Sequence, residues 1–137
     1  MARSAFLERV LEATNGHDVE RIVACFTPDY VTETPCHPAR GFVGAEQVRR
    51  NWSAILAAVP DLVASVVDDT VVGDQVWSEW QMSGTRRDGR RHLMRGVMLF
   101  RLDGDRARSC RFYLEPVVAD QIDADDFVAS LGRDGAP

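Results

Sequence analysis

Apolar side chains recur at three- and four-residue intervals in three stretches of the first 60 residues, which is the spacing of a helix face. The first stretch is predicted to end at Asn15-Gly16, and the second to begin after a capping Asp18 and to end at Thr27-Pro28. The third begins at Ala45, and Pro60 ends it. The apolar positions of the three helices are, in order, Phe6, Leu7, Val10 and Leu11; Val19, Ile22, Val23 and Phe26; and Val48, Trp52, Ile55, Leu56 and Val59.

The remaining segments have the composition of strands and turns. Residues Tyr30–Thr34 are rich in β-formers and precede Pro35, so a short strand is predicted, followed by a loop over Cys36–Gly44. After the third helix, four extended runs separated by Gly-Asp or Asp-Gly pairs predict an antiparallel meander. These runs are Leu62–Val72, Val76–Thr85, Arg91–Leu102 and Ala107–Leu114. A short helix over Ile122–Leu131 and a frayed tail over Gly132–Pro137 are expected to follow.

Helices first and strands afterwards predict an α+β fold, with the helices gathered on one face of a curved antiparallel sheet. We expect a single domain over residues 1–137, with a core of about residues 5–116 and a C-terminal helix or tail over 117–137. The run Leu93–Phe100 is apolar at nearly every position, so both faces of that strand should be covered. Helices would cover one face and a second copy of the chain the outer face, which predicts a homodimer.

The charge balance makes some classes of partner unfavourable. The chain has a net charge of −5 and a pI near 5.1, so nucleic acids and anionic membranes would repel it, and neither is predicted as a partner. All 16 basic residues are arginine, and the chain has no lysine. Schiff-base catalysis and a Walker phosphate loop both need a lysine, so both are excluded.

The cysteines and the N-terminal segment indicate a reduced, intracellular protein. Cys25, Cys36 and Cys110 are widely spaced and have no CxxC partner or histidine at metal-ligand spacing, so they are predicted to be free thiols. No metal or other cofactor is predicted. Residues 1–13 alternate charged and apolar side chains, which fits neither a signal peptide nor a membrane anchor. The protein is therefore expected in the cytoplasm.

The order of short motifs along residues 5 to 116 is characteristic. Two short helices and a Tyr-containing strand ending in Pro35 precede a Gly-led helix that closes on Val59-Pro60-Asp61-Leu62. A hairpin strand from Asp74-Gln75-Val76-Trp77 to Gly84-Thr85, a strand with Arg95-Gly96-Val97 and a final Arg111-Phe112-Tyr113-Leu114-Glu115 complete the order. This order resembles the SnoaL-like group of the nuclear-transport-factor-2-like superfamily.

The resemblance implies a cone-shaped fold in which the bent sheet wraps the third helix and encloses a deep apolar pocket. The superfamily includes polyketide cyclases, ketosteroid isomerases, limonene epoxide hydrolases and non-catalytic binding domains, so the fold does not settle the function. Trp80, Met82 and Phe112 stand where the epoxide hydrolase pattern needs an arginine and two aspartates, so that triad is absent. Thr34 stands where the isomerase pattern needs an aspartate, so isomerase chemistry of that kind is not expected.

Residues two apart on a strand share a face, and matching to the family fixes which face is inward. The wall is largely apolar, so a small apolar ligand is expected. Trp52 and Trp80 could stack on a flat ligand or simply belong to the core. The residues expected to line the pocket are Val31 and Glu33; Trp52; Ser78, Trp80 and Met82; Met94, Met98 and Phe100; and Cys110, Phe112 and Leu114. Glu79, Arg95, Arg111 and Tyr113 are expected on the outer, dimer-facing surface.

Three side chains are candidate acid or base groups. Glu33, expected at the pocket rim, would lose hydration and have the raised pKa of a general base, although it could instead point to solvent at the strand end. His37 follows in the loop, where it would shuttle a proton or orient Glu33, or else be exposed and idle. His92 shares the parity of Met94 and would cap the pocket mouth, unless it belongs to a solvated hairpin beside Arg90 and Arg91.

Two functions are consistent with these residues. The first is a cofactor-free enzyme that uses a carboxylate for proton transfer during isomerisation, cyclisation or hydration of an apolar substrate. The second is a binding or dimerisation domain without turnover, whose pocket holds a ligand. The position of Glu33 relative to the pocket distinguishes the two, because the first requires that carboxylate within hydrogen-bond reach of the ligand.

Overall fold

The computed structural model describes residues 4–133, which form four helices around a six-stranded sheet. The helices are α1 Ala5–Asn15, α2 Val19–Val23, α3 Ala45–Ala58 and α4 Ala124–Ser130. The strands are β1 Phe26–Glu33, β2 Phe42–Val43, β3 Val63–Val72, β4 Gln75–Thr85, β5 Arg91–Asp103 and β6 Arg106–Pro116. A 3₁₀ turn, Pro38–Arg40, lies between β1 and β2. The predicted tail lies outside the described residues from residue 134 onward.

Side-chain caps fix the starts of the first two helices. The Ser4 hydroxyl accepts a hydrogen bond from the Leu7 backbone N–H, and the Asp18 carboxylate accepts one from Arg21, as predicted for Asp18. Helix α2 ends at Val23, so the predicted extension to Phe26 is wrong. Phe26 instead begins β1, because the Cys25 carbonyl accepts a hydrogen bond from Ala107 and draws the chain into the sheet. Strand pairing thus overrides the local helical spacing.

The sheet has the order β2-β1-β6-β5-β4-β3. Strands β3 to β6 form the predicted antiparallel meander, and β1 joins it by pairing in parallel with β6. The α+β class and the cone-shaped arrangement of helices on a sheet are confirmed, with this one parallel pair making the sheet mixed. The parallel pairing places Glu33, the last residue of β1, opposite Arg111 in the middle of β6, so the loop after β1 runs toward the end of β6.

The core lies between the helices and one face of the sheet. Phe6 and Leu7 of α1, Ile22 of α2 and Trp80 of β4 are all almost completely buried. The Asn15 side-chain amide joins α1 to the edge of the sheet, since it donates to the Ala64 carbonyl and accepts from the Ala64 N–H. This double contact satisfies the N–H and C=O of Ala64 on the edge strand β3 and fixes the end of α1 against that strand.

The C-terminal segment differs from the rest in its exposure. The Val117 N–H donates to the Leu93 carbonyl, but the hydrogen bonds found for described residues 118–133 are all local. The predicted helix over 122–131 is present as the shorter α4. Its apolar residues Phe127 and Val128 are exposed, so α4 adds little to the core. No helix among residues 4–133 is long and apolar enough to cross a membrane.

Candidate functional site

A hollow of about 360 Å³ separates the helices from the inner face of the sheet. Its walls come from α1, α2, α3 and the strands β1, β2, β4, β5 and β6, so side chains from distant parts of the chain converge on it. Most of these side chains are apolar. The lining residues are Val10, Thr14, Ile22, Phe26, Tyr30, Thr32, Thr34, Arg40, Phe42, Val48, Asn51, Trp52, Ile55, Leu62, Trp80, Met82, His92, Met94, Met98, Phe100, Phe112 and Leu114.

In β4, β5 and β6, alternate side chains face this cavity, as the two-residue period of a strand predicts. Trp80 and Met82 of β4 pair with Gly96 and Met94 of β5, and Met98 of β5 pairs with Phe112 of β6. Ser78 and Cys110, which were also expected to line the pocket, are instead buried beneath its wall. The expected lining residues outside β1 that do border the cavity are Trp52, Trp80, Met82, Met94, Met98, Phe100, Phe112 and Leu114.

Strand β1 has the opposite parity to the one expected. Tyr30 and Thr32 are buried and face the cavity, whereas Val31 and Glu33 lie on the other face of the sheet. The inward orientation predicted for Val31 and Glu33 is therefore wrong. The cause is aromatic packing, because the Tyr30 ring lies 4.6 Å from that of Phe26 and 6.2 Å from that of Phe42 within the core.

Glu33 consequently has different neighbours from those expected of a buried general base. It is exposed and lines a groove on the outer face of the sheet. In the register of β1 and β6 it lies opposite Arg111, and Arg101 borders the same groove. The carboxylate is therefore separated from the cavity by the sheet itself.

His37 is not among the cavity-lining residues and does not contact Glu33. Its Nε2 lies 3.0 Å from Oε1 of Glu115, and both side chains are more than one-third exposed. The Thr34 hydroxyl donates to the His37 carbonyl at 2.6 Å, and the His37 N–H donates to the Thr34 carbonyl. These contacts hold the loop after β1 against the end of β6, so the evident effect of His37 is on loop position.

His92 lies at the start of β5 and lines the cavity. Its Nδ1 is buried and has no hydrogen-bond partner among the described residues. Desolvation lowers the pKa of the imidazole, and the positive charge of Arg86 lowers it further. The ring is thus neutral near pH 7, with one nitrogen available to a ligand.

The polar groups deep in the cavity are occupied by internal hydrogen bonds or are un-ionised. Trp80 Nε1 donates to the Ser78 hydroxyl, which donates in turn to the Met98 carbonyl, both at 2.8 Å. Thr14 donates to the Val10 carbonyl. Burial raises the pKa of Tyr30 well above its ordinary value and that of Cys110 to about 12. The deep end is therefore uncharged at neutral pH.

Three further polar lining residues, Thr32, Arg40 and Asn51, were not singled out from the sequence. Asn51 was recognisable, because it follows Val48 by three positions and precedes Ile55 by four on the cavity side of α3. Its Oδ1 accepts a hydrogen bond from Gln47 at 2.7 Å. Arg40 ends the 3₁₀ turn Pro38–Arg40, which is too short for any periodicity to indicate side-chain direction. Among the lining residues in the described part of the chain, none is acidic.

Metal coordination has no evident place in this part of the chain. Within residues 4–133 there is no group of three or more histidine, cysteine, aspartate or glutamate side chains arranged to hold a metal ion. Cys25 and Cys110 are buried free thiols, and Cys36 is an exposed one. The polar groups that line the cavity are an imidazole, a guanidinium, an amide and hydroxyl groups.

A family model for the SnoaL-like domain matches residues 7–110, and the chain belongs to this family. The matched segment runs from α1 to the middle of β6 and includes the whole of β1 to β5. No curated protein sequence matches the chain. Family membership agrees with the α+β fold described above.

Solved structures of low sequence identity share the fold. A protein with a ketosteroid isomerase-like fold from Catenulispora acidiphila, in complex with trimethylamine, is 16% identical with a TM-score of 0.72, and the match covers 82% of this chain and 87% of that one. AclR from Streptomyces galilaeus is 18% identical with a TM-score of 0.74, covering 92% and 91%. An LEH-like epoxide hydrolase from M. tuberculosis is 17% identical with a TM-score of 0.68, covering 80% of each chain. These similarities establish the architecture.

Proposed function

We propose that the protein binds one small, largely apolar molecule in the cavity between α3 and the sheet. The observation that carries this proposal is the unfilled hollow of about 360 Å³, which is within the size range of small-molecule sites. Packed interiors rarely leave voids much larger than a water molecule, so a hollow of this size needs a functional reason. Its Trp, Met, Phe and Leu walls favour an apolar occupant.

The energetic basis of binding is burial of apolar ligand surface. Each methylene transferred from water to such a site contributes about 0.8 kcal/mol before the cost of immobilisation. The internally bonded polar groups at the deep end compete little for water, so displacing solvent from there is favourable. Similarity to a protein solved in complex with trimethylamine and to an LEH-like epoxide hydrolase supports a small organic ligand rather than a macromolecule.

Binding is testable with N-phenyl-1-naphthylamine, a neutral fluorescent probe whose emission rises in apolar surroundings. We expect saturable binding with one site per chain, accompanied by quenching of Trp52 and Trp80, which both line the cavity. Leu114→Trp adds bulk to the cavity wall and should weaken probe binding at least tenfold. Val118→Trp adds the same side chain at an exposed position and serves as the matched control.

The proposal fails if the wild-type chain does not bind the probe, or if Leu114→Trp binds it as tightly as Val118→Trp. Thermal unfolding of both variants separates loss of binding from loss of fold. If Leu114→Trp unfolds cooperatively with a midpoint temperature within a few degrees of that of Val118→Trp, its fold is intact and the loss of binding comes from the blocked cavity. If Leu114→Trp does not fold, Met98→Phe replaces it as a smaller change that also reduces the cavity volume. This variant should also weaken probe binding.

A second candidate function is proton transfer to or from the bound molecule, with His92 as the base. The specific observation in its favour is the buried Nδ1 of His92 without a hydrogen-bond partner in the described chain, on a neutral ring. A neutral imidazole in an apolar site is a competent base for a proton next to a carbonyl group. Glu33 has no part in this candidate, because its carboxylate lies on the outer face.

The proton-transfer candidate is testable by deuterium exchange at the α-carbon of 2-tetralone, followed by NMR in D₂O. We expect wild type to accelerate exchange and His92→Gln to lose most of that acceleration while still binding the neutral probe. The base must be unprotonated, and its pKa is lowered, so exchange should persist to lower pH than the ordinary imidazole pKa of about 6.5 allows. Exchange that is equal in wild type and His92→Gln leaves binding as the only function.

A further inference from the structure

We infer that the ligand is an amphipathic carboxylate, with its apolar body in the cavity and its carboxylate held by Arg40 at the cavity mouth. This inference rests on the proposed ligand-binding function and adds the chemical class of the ligand. It derives from the distribution of charge around the cavity, which is uneven although the chain as a whole is acidic.

The ionised groups of the chain are almost entirely excluded from the cavity. Of 37 acidic and basic side chains in the sequence, 16 of them basic and 21 acidic, Arg40 is the one that lines the hollow in the described part of the chain. No carboxylate among these lining residues is available to neutralise it. A ligand anion is therefore the natural counter-charge for this guanidinium within the site.

The Arg40 guanidinium is free to take such a counter-charge. No hydrogen bond or ion pair to this group is found within residues 4–133, whereas Arg49 and Arg101 are paired with carboxylates. Glu115, an acidic residue tied to the same loop, is occupied by His37 at 3.0 Å. Arg40 is exposed as a residue but borders the cavity, so its head can stay hydrated until a ligand arrives.

Strand register brings the loop that carries Arg40 and the start of β5 to the same end of the sheet. His37 in that loop contacts Glu115 near the end of β6, and Pro116 pairs with Met94, two residues after His92. The polar lining groups Thr34, Arg40 and His92 therefore come from elements that meet at this end. The opposite end, around Thr14 and Trp80, has its polar groups internally bonded. The cavity thus has one polar end and one apolar end.

A carboxylate fits this polar end better than a neutral oxygen does. The planar guanidinium offers parallel N–H donors that match the two oxygens of a carboxylate, and such charge-assisted bonds are stronger than neutral ones. Asn51 and the neutral His92 provide further hydrogen-bonding groups without introducing negative charge. The apolar wall then requires the remainder of the ligand to be hydrocarbon-like.

This inference is tested by measuring how well decanoate and 1-decanol displace the neutral probe N-phenyl-1-naphthylamine from the cavity. The two competitors share a ten-carbon chain and differ in charge. At pH 8 decanoate is ionised. We expect wild type to bind decanoate more tightly than decanol, and Arg40→Met to weaken decanoate about tenfold relative to decanol and the probe. Arg40→Lys should retain part of the preference. Arg50→Met, on the exposed side of α3, is the matched control.

The outcomes separate this inference from the function on which it rests. Probe and decanol binding with no loss of decanoate affinity in Arg40→Met overturns the carboxylate assignment and leaves the apolar site intact. Equal loss for decanoate in Arg40→Met and Arg50→Met overturns it as well, because the effect would then be one of net charge. Failure of the probe and of decanol to bind wild type overturns both proposals together.

Discussion

At the scale of single residues, Gly96 is the position where the fold least tolerates a side chain. Its φ is 153°, and a Cβ built there would lie 2.0 Å from the Tyr113 carbonyl oxygen and 2.8 Å from the Leu114 Cα. These atoms belong to the backbone of β6 and cannot rotate away. The close approach of β5 to β6 at this point therefore depends on glycine.

We expect Gly96→Ala to lower the free energy of unfolding by about 2–4 kcal/mol, since the backbone of β5 or β6 must shift to remove the overlap. Gly104→Ala is the matched control, because Gly104 also has a positive φ, 64°, but a methyl group there would meet no atom within 4 Å. That change should cost about 1 kcal/mol from backbone strain alone. Urea unfolding followed by tryptophan fluorescence measures both, and equal costs would contradict the steric argument.

Whether the orientation of a site residue can be predicted from the sequence depends on the regularity of its strand. Alternation, with the inward face taken from the family resemblance, put Trp80, Met82, Met98 and Leu114 on one face of the sheet, and these four residues border the cavity because β4 to β6 are long and regularly paired. The same rule assigned Glu33 to the wrong face, because a strand of eight residues with a register shift between Phe26 and Val31 does not fix its own parity. The packing of the Tyr30 ring decides it, and that contact is tertiary.

At the scale of elements, local signals predicted the helices that have their own caps and breakers. Asp18 starts α2, and Pro60 follows the end of α3 within two residues. The strands of the meander begin and end within about two residues of the predicted positions, because Gly-Asp and Asp-Gly pairs mark the turns. Residue periodicity and turn chemistry are local properties, so they can be read before the fold is known.

The pairing of β1 with β6 was not predicted from the sequence. Helical spacing assigned Phe26 to α2, yet it is the first residue of β1, opposite Ala107 of β6. Parallel pairing joins segments about 80 residues apart, and no turn between them marks the register. The loop with His37 and Arg40 follows directly from this pairing, so the polar end of the cavity was also beyond sequence reasoning.

At the scale of the whole molecule, the outer face of the sheet combines apolar and charged residues. Trp77, Val97, Leu99 and Tyr113 share this face and are only half-buried within the chain. The face also carries charges of both signs, which allow two copies related by a twofold axis to pair arginine with glutamate. By strand register these charges include Arg95, Arg101 and Arg111, and Glu33, Glu79 and Glu115.

We expect the chain to form a homodimer through this outer face, and analytical ultracentrifugation measures the mass directly. Val97→Arg places a charge among the apolar residues at the centre of the face and should shift the equilibrium toward monomer at least tenfold. Val71→Arg is the control, because Val71 is 49% exposed and pairs with Val76 near the far end of β3.

The dimer should also weaken in high salt, because salt screens the attraction between the arginines and glutamates of this face. A wild-type chain that remains monomeric at high concentration, or a dimer that Val97→Arg leaves unchanged, would show that the outer face is not the interface.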